Sequence, residues 1–477
     1  MFKSKIKYGI GFLCLCLAIE GCKVPAIVAT PPQKPVPASF GTGTDTISMA
    51  NVQWKQLFTD PYLISLIDTA LANNQELLTT LQEIQIAKND IRFRHASLLP
   101  TAAIVAGAGV EKVGRYTSQG AGDATTEIKP GKEFPDPLGD FMVGVTANWE
   151  ADIWNKLHTA KKAAVTRYLS TMEGKNFVTT NLVAEVANSY FELVALDHQL
   201  AIVKKNIGIQ QNALDIVKIQ KDAARATELG VKKFEAEVLR TRSLEFDIHQ
   251  QITVTENKIN FLLARFPQAV ARDTTEFMTQ LPAIVQAGVP SQLLENRADV
   301  RQAELDLEAA KLDVKVARAE FFPSLGISAG VGFNAFNPTY LLRTPESLLY
   351  SLAGELAQPL INRNAIKAEF SSANARQLQA LYNYEKTVLN AYMEVANELS
   401  NVDNLGKDYD LKLQQVAALN NSIEVALDLF KYARADYFEV LMTQRDVLEA
   451  KLELVETRQE QFNAVVNVYR GLGGGWK

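Results

Sequence analysis

Two apolar periodicities alternate along this chain, and they predict long helices joined to short strands. Ile202, Ile209 and Ile216 recur at every seventh position, with Val203 and Val217 beside them. Leu405, Val416, Ile423, Leu427 and Phe430 continue a similar stripe later in the chain. A sustained seven-residue spacing keeps one face of a helix against a partner and reads as coiled coil. No proline falls between Pro137 and Pro267, or after Pro359, so nothing in either stretch forces a break. Asn155 to Asp222 is predicted as one helix on the order of 100 Å long at 1.5 Å per residue. Glu228–Arg265 and Asp436–Arg470 are predicted as returning helices. Asp60–Leu98 and Ser291–Glu320 are predicted to hold about four to six helical turns each, short partners that stack end to end with the returning helices. A wall of antiparallel helices of matched length follows.

The second periodicity is two. Leu325, Ile327, Ala329, Val331 and Phe333 alternate with small and polar residues. Leu348, Tyr350 and Leu352 alternate with Ser351, Ala353 and Glu355. In the first half Phe141, Val143, Val145, Ala147 and Trp149 alternate with Gly144, Thr146, Asn148 and Glu150. A tilted strand of about ten residues crosses the hydrocarbon of a bilayer. A soluble, half-buried sheet alternates equally well. The uncharged apolar face, the long helices and the N-terminal sequence favour the membrane. Four such strands cannot stay alone in lipid, because open edges leave backbone groups unpaired. The barrel must then close between chains, and two, three or four copies all satisfy that requirement.

The chain also repeats itself. Asn73–Val110 aligns without a gap onto Asn296–Phe333, so that Ala87-Lys88-x-Asp90 meets Ala310-Lys311-x-Asp313. Ala96-x-x-x-Pro100 likewise meets Ala319-x-x-x-Pro323. One unit, helix to strand pair to long helices, is built twice.

Composition narrows the setting. Lys3, Lys5 and Lys7 precede the apolar run Ile10–Ile19, too short to span a bilayer, which ends at Ile19-Glu20-Gly21-Cys22. This is an export signal ending in a lipobox-like motif, with Cys22 as the acylated new N-terminus. Five prolines, Pro25, Pro31, Pro32, Pro35 and Pro37, predict an extended tether behind it. Loss of Cys14 and Cys16 with the signal leaves one cysteine and no disulfide. The formal net charge of -5, with both signs spread along the chain, gives no nucleic-acid surface. His95, His158, His198 and His249 are scattered without ligand spacing, and no nucleophile or phosphate-cradling motif is present. Neither an enzyme nor a cofactor is expected.

Four further stretches resemble the outer-membrane factor family, the TolC-like exit ducts of tripartite efflux pumps, and within it the lipoprotein branch serving RND-type pumps. They are Leu57-Phe58-x-Asp60-Pro61-x-Leu63, Arg297-Ala298-Asp299-Val300-Arg301-x-Ala303-Glu304, Phe321-Phe322-Pro323-Ser324 and Tyr469-Arg470-x-Leu472-Gly473-Gly474-Gly475-Trp476. The family usually has proline where Ala298 stands. The resemblance implies an α+β membrane protein: a trimeric 12-stranded β-barrel, four strands per chain, continued by a periplasmic α-helical coiled-coil barrel. It also implies a homotrimer in outer-membrane lipid that meets a periplasmic adaptor and an inner-membrane RND-type transporter. A type I protein-secretion duct of the same fold, or a periplasm-spanning coiled coil that conducts nothing, are the alternatives.

The expected organisation is a signal peptide at 1–21, a lipid anchor and tether at 22–60, and a first repeat at 61–266. That repeat has strands about 100–113 and 139–150 and a tip about 223–231. A linker at 267–290, with both termini, supplies a belt around the helices. The second repeat, 291–477, has strands about 323–335 and 347–358 and a tip about 432–441. The tip motif of the family matches Ala224, Arg225, Ala226 and Thr227, and again Ala433, Arg434, Ala435, Asp436 and Tyr437. These residues are the expected adaptor-binding tip, with Thr227 and Asp436 as helix N-caps. The family usually has glycine where Ala224 and Ala433 stand. The pore constriction of the family matches Phe438, Met442 and Arg445, with Glu439 the nearest acidic candidate. Contacts among Arg225, Arg434, Asp436, Glu439 and their neighbours are expected to hold the closed tip, with Phe438 and Met442 narrowing the bore.

Overall fold

The computed structural model describes residues 25–28, 35, 37–40, 48–279, 286–358, 363–432 and 434–476. Cys22, the export signal and Ala433 lie outside the described residues. The first repeat runs α1 (Pro61–Asn73), α2 (Gln75–Ala96), β1 (Thr101–Glu111), β2 (Leu138–Ala151), α3 (Lys156–Asp222) and α4 (Glu228–Leu262). The second runs α5 (Gln292–Asn296), α6 (Ala298–Ala319), β3 (Ser324–Ala335), β4 (Leu348–Ala357), α7 (Arg363–Lys431) and α8 (Tyr437–Gly471). The repeat seen in the sequence is thus a repeat of elements, in the same order. The chain folds as two compact units.

One unit holds Ile86–Tyr168 and Asp306–Leu381 and is organised by a four-stranded antiparallel sheet in the order β1-β2-β3-β4. Its register places Ile104, Val145, Val331 and Tyr350 in one cross-strand row. Ala106, Val143, Phe333 and Leu348 form the next. Ala102, Ala147, Ala329 and Leu352 form a third. The two-residue alternation therefore becomes one continuous apolar face without a charged residue in these rows. That face is open within the chain: Ile104 is 83% exposed and Leu352 79%. Charges lie on the other face, at Glu150 and Glu355, which flank Gly326 across the strands.

The polar face is held close by glycine. Gly144 and Gly332 pair across β2 and β3. A Cβ on Gly332 would stand 2.5 Å from the Val143 carbonyl oxygen, and one on Gly144 would stand 2.8 Å from that of Val331. Alternation alone makes arginine at Ser328 or Gly332 milder than on the apolar face; the backbone approach removes that expectation for Gly332 and leaves it for Ser328. Indoles tie the strand ends to neighbouring segments. Trp149 Nε1 donates to the Leu98 carbonyl at 2.9 Å, and Trp154 Nε1 donates to that of Pro323 at 2.7 Å while stacking on Phe322. Asp152 starts α3 by accepting from the backbone N–H groups of Leu157 (3.0 Å) and His158 (2.8 Å), two donors a helix start leaves orphaned.

The other unit holds Leu169–Leu305 and Tyr382–Lys477 with Pro32–Gln85. Its most deeply buried large side chains include Leu63 and Ile67 on α1, Tyr190 and Leu193 on α3, Ile259 on α4 and Tyr469 on α8. The linker is stitched to the N-terminal segment by Met49 N, which donates to Gln286 O at 2.8 Å, and α8 is tied to the same segment by Tyr469 Oη, which donates to Val52 O at 2.6 Å.

The stretches 60–98 and 291–320 are each two helices, not one. The first breaks at Asn74 and the second at Arg297, positions that the internal repeat superposes. Asn74 Nδ2 donates to the Leu262 carbonyl at 2.9 Å, and its Oδ1 accepts from Leu77 N at 3.1 Å. Arg297 Nη1 donates to the Gly471 carbonyl at 2.9 Å. In each repeat the residue at the break caps the final carbonyl of the returning helix. The break exists because an orphaned helix end inside the core needs a donor.

Candidate functional site

The tip lies in this second unit, where α3 turns into α4 and α7 into α8. α3 ends in a Schellman turn: Arg225 N donates to Gln220 O, and Ala224 N donates to Lys221 O, both at 2.8 Å. Ala224 takes the left-handed position of that turn, with φ 58°. At the second tip Arg434 N donates to Leu429 O at 2.8 Å, the matching long-range bond of the motif. A side chain in the left-handed region costs roughly 1 kcal/mol that glycine avoids. Ala224→Gly is therefore expected to stabilise the first tip by about that amount, read as slower amide exchange over 220–231. Unchanged or faster exchange there would contradict the assigned strain.

Thr227 is the expected N-cap: its Oγ1 accepts from Gly230 N at 3.2 Å. Asp436 stands at the N-cap position with extended backbone, but its carboxylate takes no capping bond. The carboxylate is thus left for another partner. Arg225, Thr227, Arg434 and Asp436 are exposed, and Ala226 and Ala435 half-buried, so the loops present their side chains outward.

Beneath the loops the two hairpins share an apolar cluster. Leu214, Val217, Val231, Phe234, Val238 and Leu441 are buried together, with Ala226 and Phe430 packed against them. Val440, Leu441, Gln444 and Val447 turn inward on α8. Phe438, Met442 and Arg445, at helical spacing, therefore share the opposite, exposed or half-exposed face with Glu439. The structure brings the four gate candidates onto one face. It does not pair Arg225, Arg434, Asp436 and Glu439 within the chain. The ion pairs among the described tip residues are instead Lys221–Glu228 at 2.5 Å and Lys232–Glu235 at 2.8 Å. Each partner's charged form is favoured: the carboxylates of Glu228 and Glu235 sit below their usual range and the two ammonium groups above theirs.

The hairpins are joined by a contact not singled out in the sequence. Lys233 Nζ lies 4.8 Å from the centre of the Phe438 ring. A cation over a ring face is worth about 0.5–1 kcal/mol where exposed.

The family model for outer membrane efflux proteins matches residues 66–265 and 289–474, one segment for each repeat. The chain belongs to the outer membrane efflux protein family. It is 29% identical over 425 residues to the pyoverdine export outer membrane protein OpmQ of Pseudomonas aeruginosa, covering 89% of this chain and 88% of that one. It is 26% identical over 469 residues to the cation efflux system protein CusC of Escherichia coli, covering 97% and 98%. The crystal structure of CusC superposes with a TM-score of 0.82 at 24% identity, covering 94% of this chain and 100% of that one. A solved membrane protein from Pseudomonas aeruginosa gives 0.85 at 23% identity, covering 95% and 98%. The fold is that of the TolC-like channels, and the protein is an outer-membrane efflux channel.

Proposed function

We propose that this chain is the outer-membrane duct of a tripartite pump, working as a homotrimer whose twelve strands close one barrel. The observation that carries the reading is the four-stranded sheet: its apolar face is uncharged and continuous, and β1 and β4 are its outer strands. Hydrocarbon tolerates no open edge, so β4 of one copy pairs with β1 of the next. The tip loops, Ala224 to Thr227 and Ala433 to Tyr437, receive a periplasmic adaptor, which links the duct to an inner-membrane RND-type transporter. The exposed Arg225, Arg434 and uncapped Asp436 suit a polar partner surface. Relatives are named for pyoverdine, cation and toluene efflux. Such different cargo on one scaffold supports a duct that passes small molecules selected elsewhere.

The gate is proposed at Phe438, Glu439, Met442 and Arg445. Adaptor binding opens it by favouring the open arrangement, a shift of population. Native mass spectrometry is expected to give three copies, and planar bilayers a low-conductance resting pore. Lys233→Ala removes the ring contact and is expected to raise open probability about two- to five-fold, the equivalent of 0.5–1 kcal/mol. Phe438→Ala is expected to raise open probability and to widen the resting pore as well. Wild-type conductance in both variants would move the gate off this helix face.

Cys22 is proposed as a lipid anchor. Each buried CH₂ contributes about 0.8 kcal/mol, and more than one chain is needed for stable attachment. Intact-mass analysis is expected to show an acylated N-terminus at residue 22, lost in Cys22→Ala. An unmodified mature protein beginning elsewhere would remove the anchor from the scheme.

A further inference from the structure

We propose that the second unit carries a separate binding site for an amphiphilic organic cation, one with an aromatic body and an ammonium head. The site is a cavity of about 470 Å³ lined by residues 57–63, α3, residues 273–277 and α8. Small-molecule sites commonly fall in the range of about 300–1,000 Å³. None of its residues belongs to the tip or the gate.

Its wall is aromatic. Phe191 stacks on Phe462 with ring centres 4.7 Å apart, and Phe277 stacks on Phe462 at 5.4 Å. Phe58 leans on Phe191 at 6.5 Å. Its charged groups are acidic: Asp60, Asp273 and Glu276 contribute to the lining, and among the described residues that lining contains no Lys, Arg or His. The cations on the flanking segments are engaged elsewhere. Lys55 pairs with Asp68 at 2.9 Å, and Arg272 pairs with Asp197 at 2.5 Å and Glu256 at 2.6 Å.

The carboxylates are also preset. The Tyr190 hydroxyl donates to Asp60 and accepts from Asp273 N at 3.2 Å, tying two lining segments to one buried ring. Burial, and then the Asp60 carboxylate, push the Tyr190 phenol above its usual range, so it remains the donor. The Thr275 backbone N–H and hydroxyl, each 2.8 Å from Asp273 Oδ1, hold that carboxyl below its usual range. An apolar chamber beside negative charge without a lining counterion selects a ligand carrying both complements. A hydrated metal ion gains nothing from the phenylalanines, and a neutral arene gains nothing from the carboxylates.

The test uses the full-length protein in lipid nanodiscs, titrated calorimetrically with benzyltrimethylammonium. Tetramethylammonium supplies the head alone and benzyl alcohol the ring alone. Saturable binding of the whole probe is expected, with each half about ten-fold weaker or worse. Asp273→Asn with Glu276→Gln, and separately Phe191→Leu, are each expected to weaken the probe about ten-fold. Thermal unfolding and assembly size of both variants should match the wild type. The proposal is overturned if the probe shows no saturable binding, if benzyl alcohol binds as tightly, or if both variants bind like the wild type.

Discussion

Arg297→Ala is expected to destabilise the protein by about 3–5 kcal/mol, lowering the thermal unfolding midpoint and the yield of assembled protein. The side chain is only 8% exposed. Its guanidinium forks onto Asp299, with Nε to Oδ1 at 2.9 Å and Nη2 to Oδ2 at 2.8 Å, and its Nη1 reaches Glu394 at 2.7 Å. The same Nη1 caps the Gly471 carbonyl. Truncation takes the guanidinium from a half-buried Asp299, which keeps only the Val300 N–H, and removes the cap from that carbonyl. Glu394 keeps Arg470, at 2.8 Å, which limits the loss. Asn74, at the matching break in the first repeat, carries no charge. Asn74→Ala removes one carbonyl cap and one N-cap bond, and is expected to cost about 1–2 kcal/mol. Arg297→Asn should recover part of the loss by restoring a neutral donor. If Arg297→Ala and Asn74→Ala cost the same small amount, the charged network contributes nothing beyond capping.

The same two residues show where sequence reading stops. The long helices were legible because proline-free stretches and a seven-residue apolar period are local properties. The faces of the strands were legible because a period of two admits only two assignments. The break at Asn74 was partly legible: Asn before a helical run is a cap signal, and its side chain bonds Leu77 N. The break at Arg297 was not. Arginine is a good helix former, and the reason it leaves the helix lies at Gly471, far along the chain. The last turn of α8 follows the same rule. Gly473 takes φ 89° and a Cβ there would meet the Asn296 carbonyl at 2.5 Å, whereas its counterpart in the first repeat, Ala264, bears φ 53° with its methyl. What the sequence shows as a glycine tail is a buried turn. At the tip, Phe438, Met442 and Arg445 were matched through the family resemblance, and they lie on one exposed or half-exposed face of α8. The Lys233 contact was missed because it joins two hairpins, and pairing between hairpins is not a local property.

Leu352→Arg and Val331→Arg are each expected to impair insertion into the outer membrane by about 2–4 kcal/mol if they lie at the bilayer midplane. Both belong to the apolar rows of the sheet, and Leu352 pairs with Ala329 while Val331 pairs with Val145 and Tyr350. Both side chains are largely exposed within the chain, Val331 at 54% and Leu352 at 79%, so the cost comes mainly from placing a charge in hydrocarbon. Ser328→Arg is the control. Ser328 pairs with Asn148 and Ala353 on the polar face, one residue from Ala329 along the same strand. A one-residue shift exchanges the two faces, so this pair of neighbours separates lipid from lumen with the backbone held constant. Folding yield in bilayers of defined thickness is the measurement, with protease protection of the inserted strands beside it. The expected order is a large loss at Leu352 and Val331 and a small one at Ser328. Equal tolerance at all three would mean that the apolar face is not turned to lipid, and the barrel would have to close with its rows facing the other way.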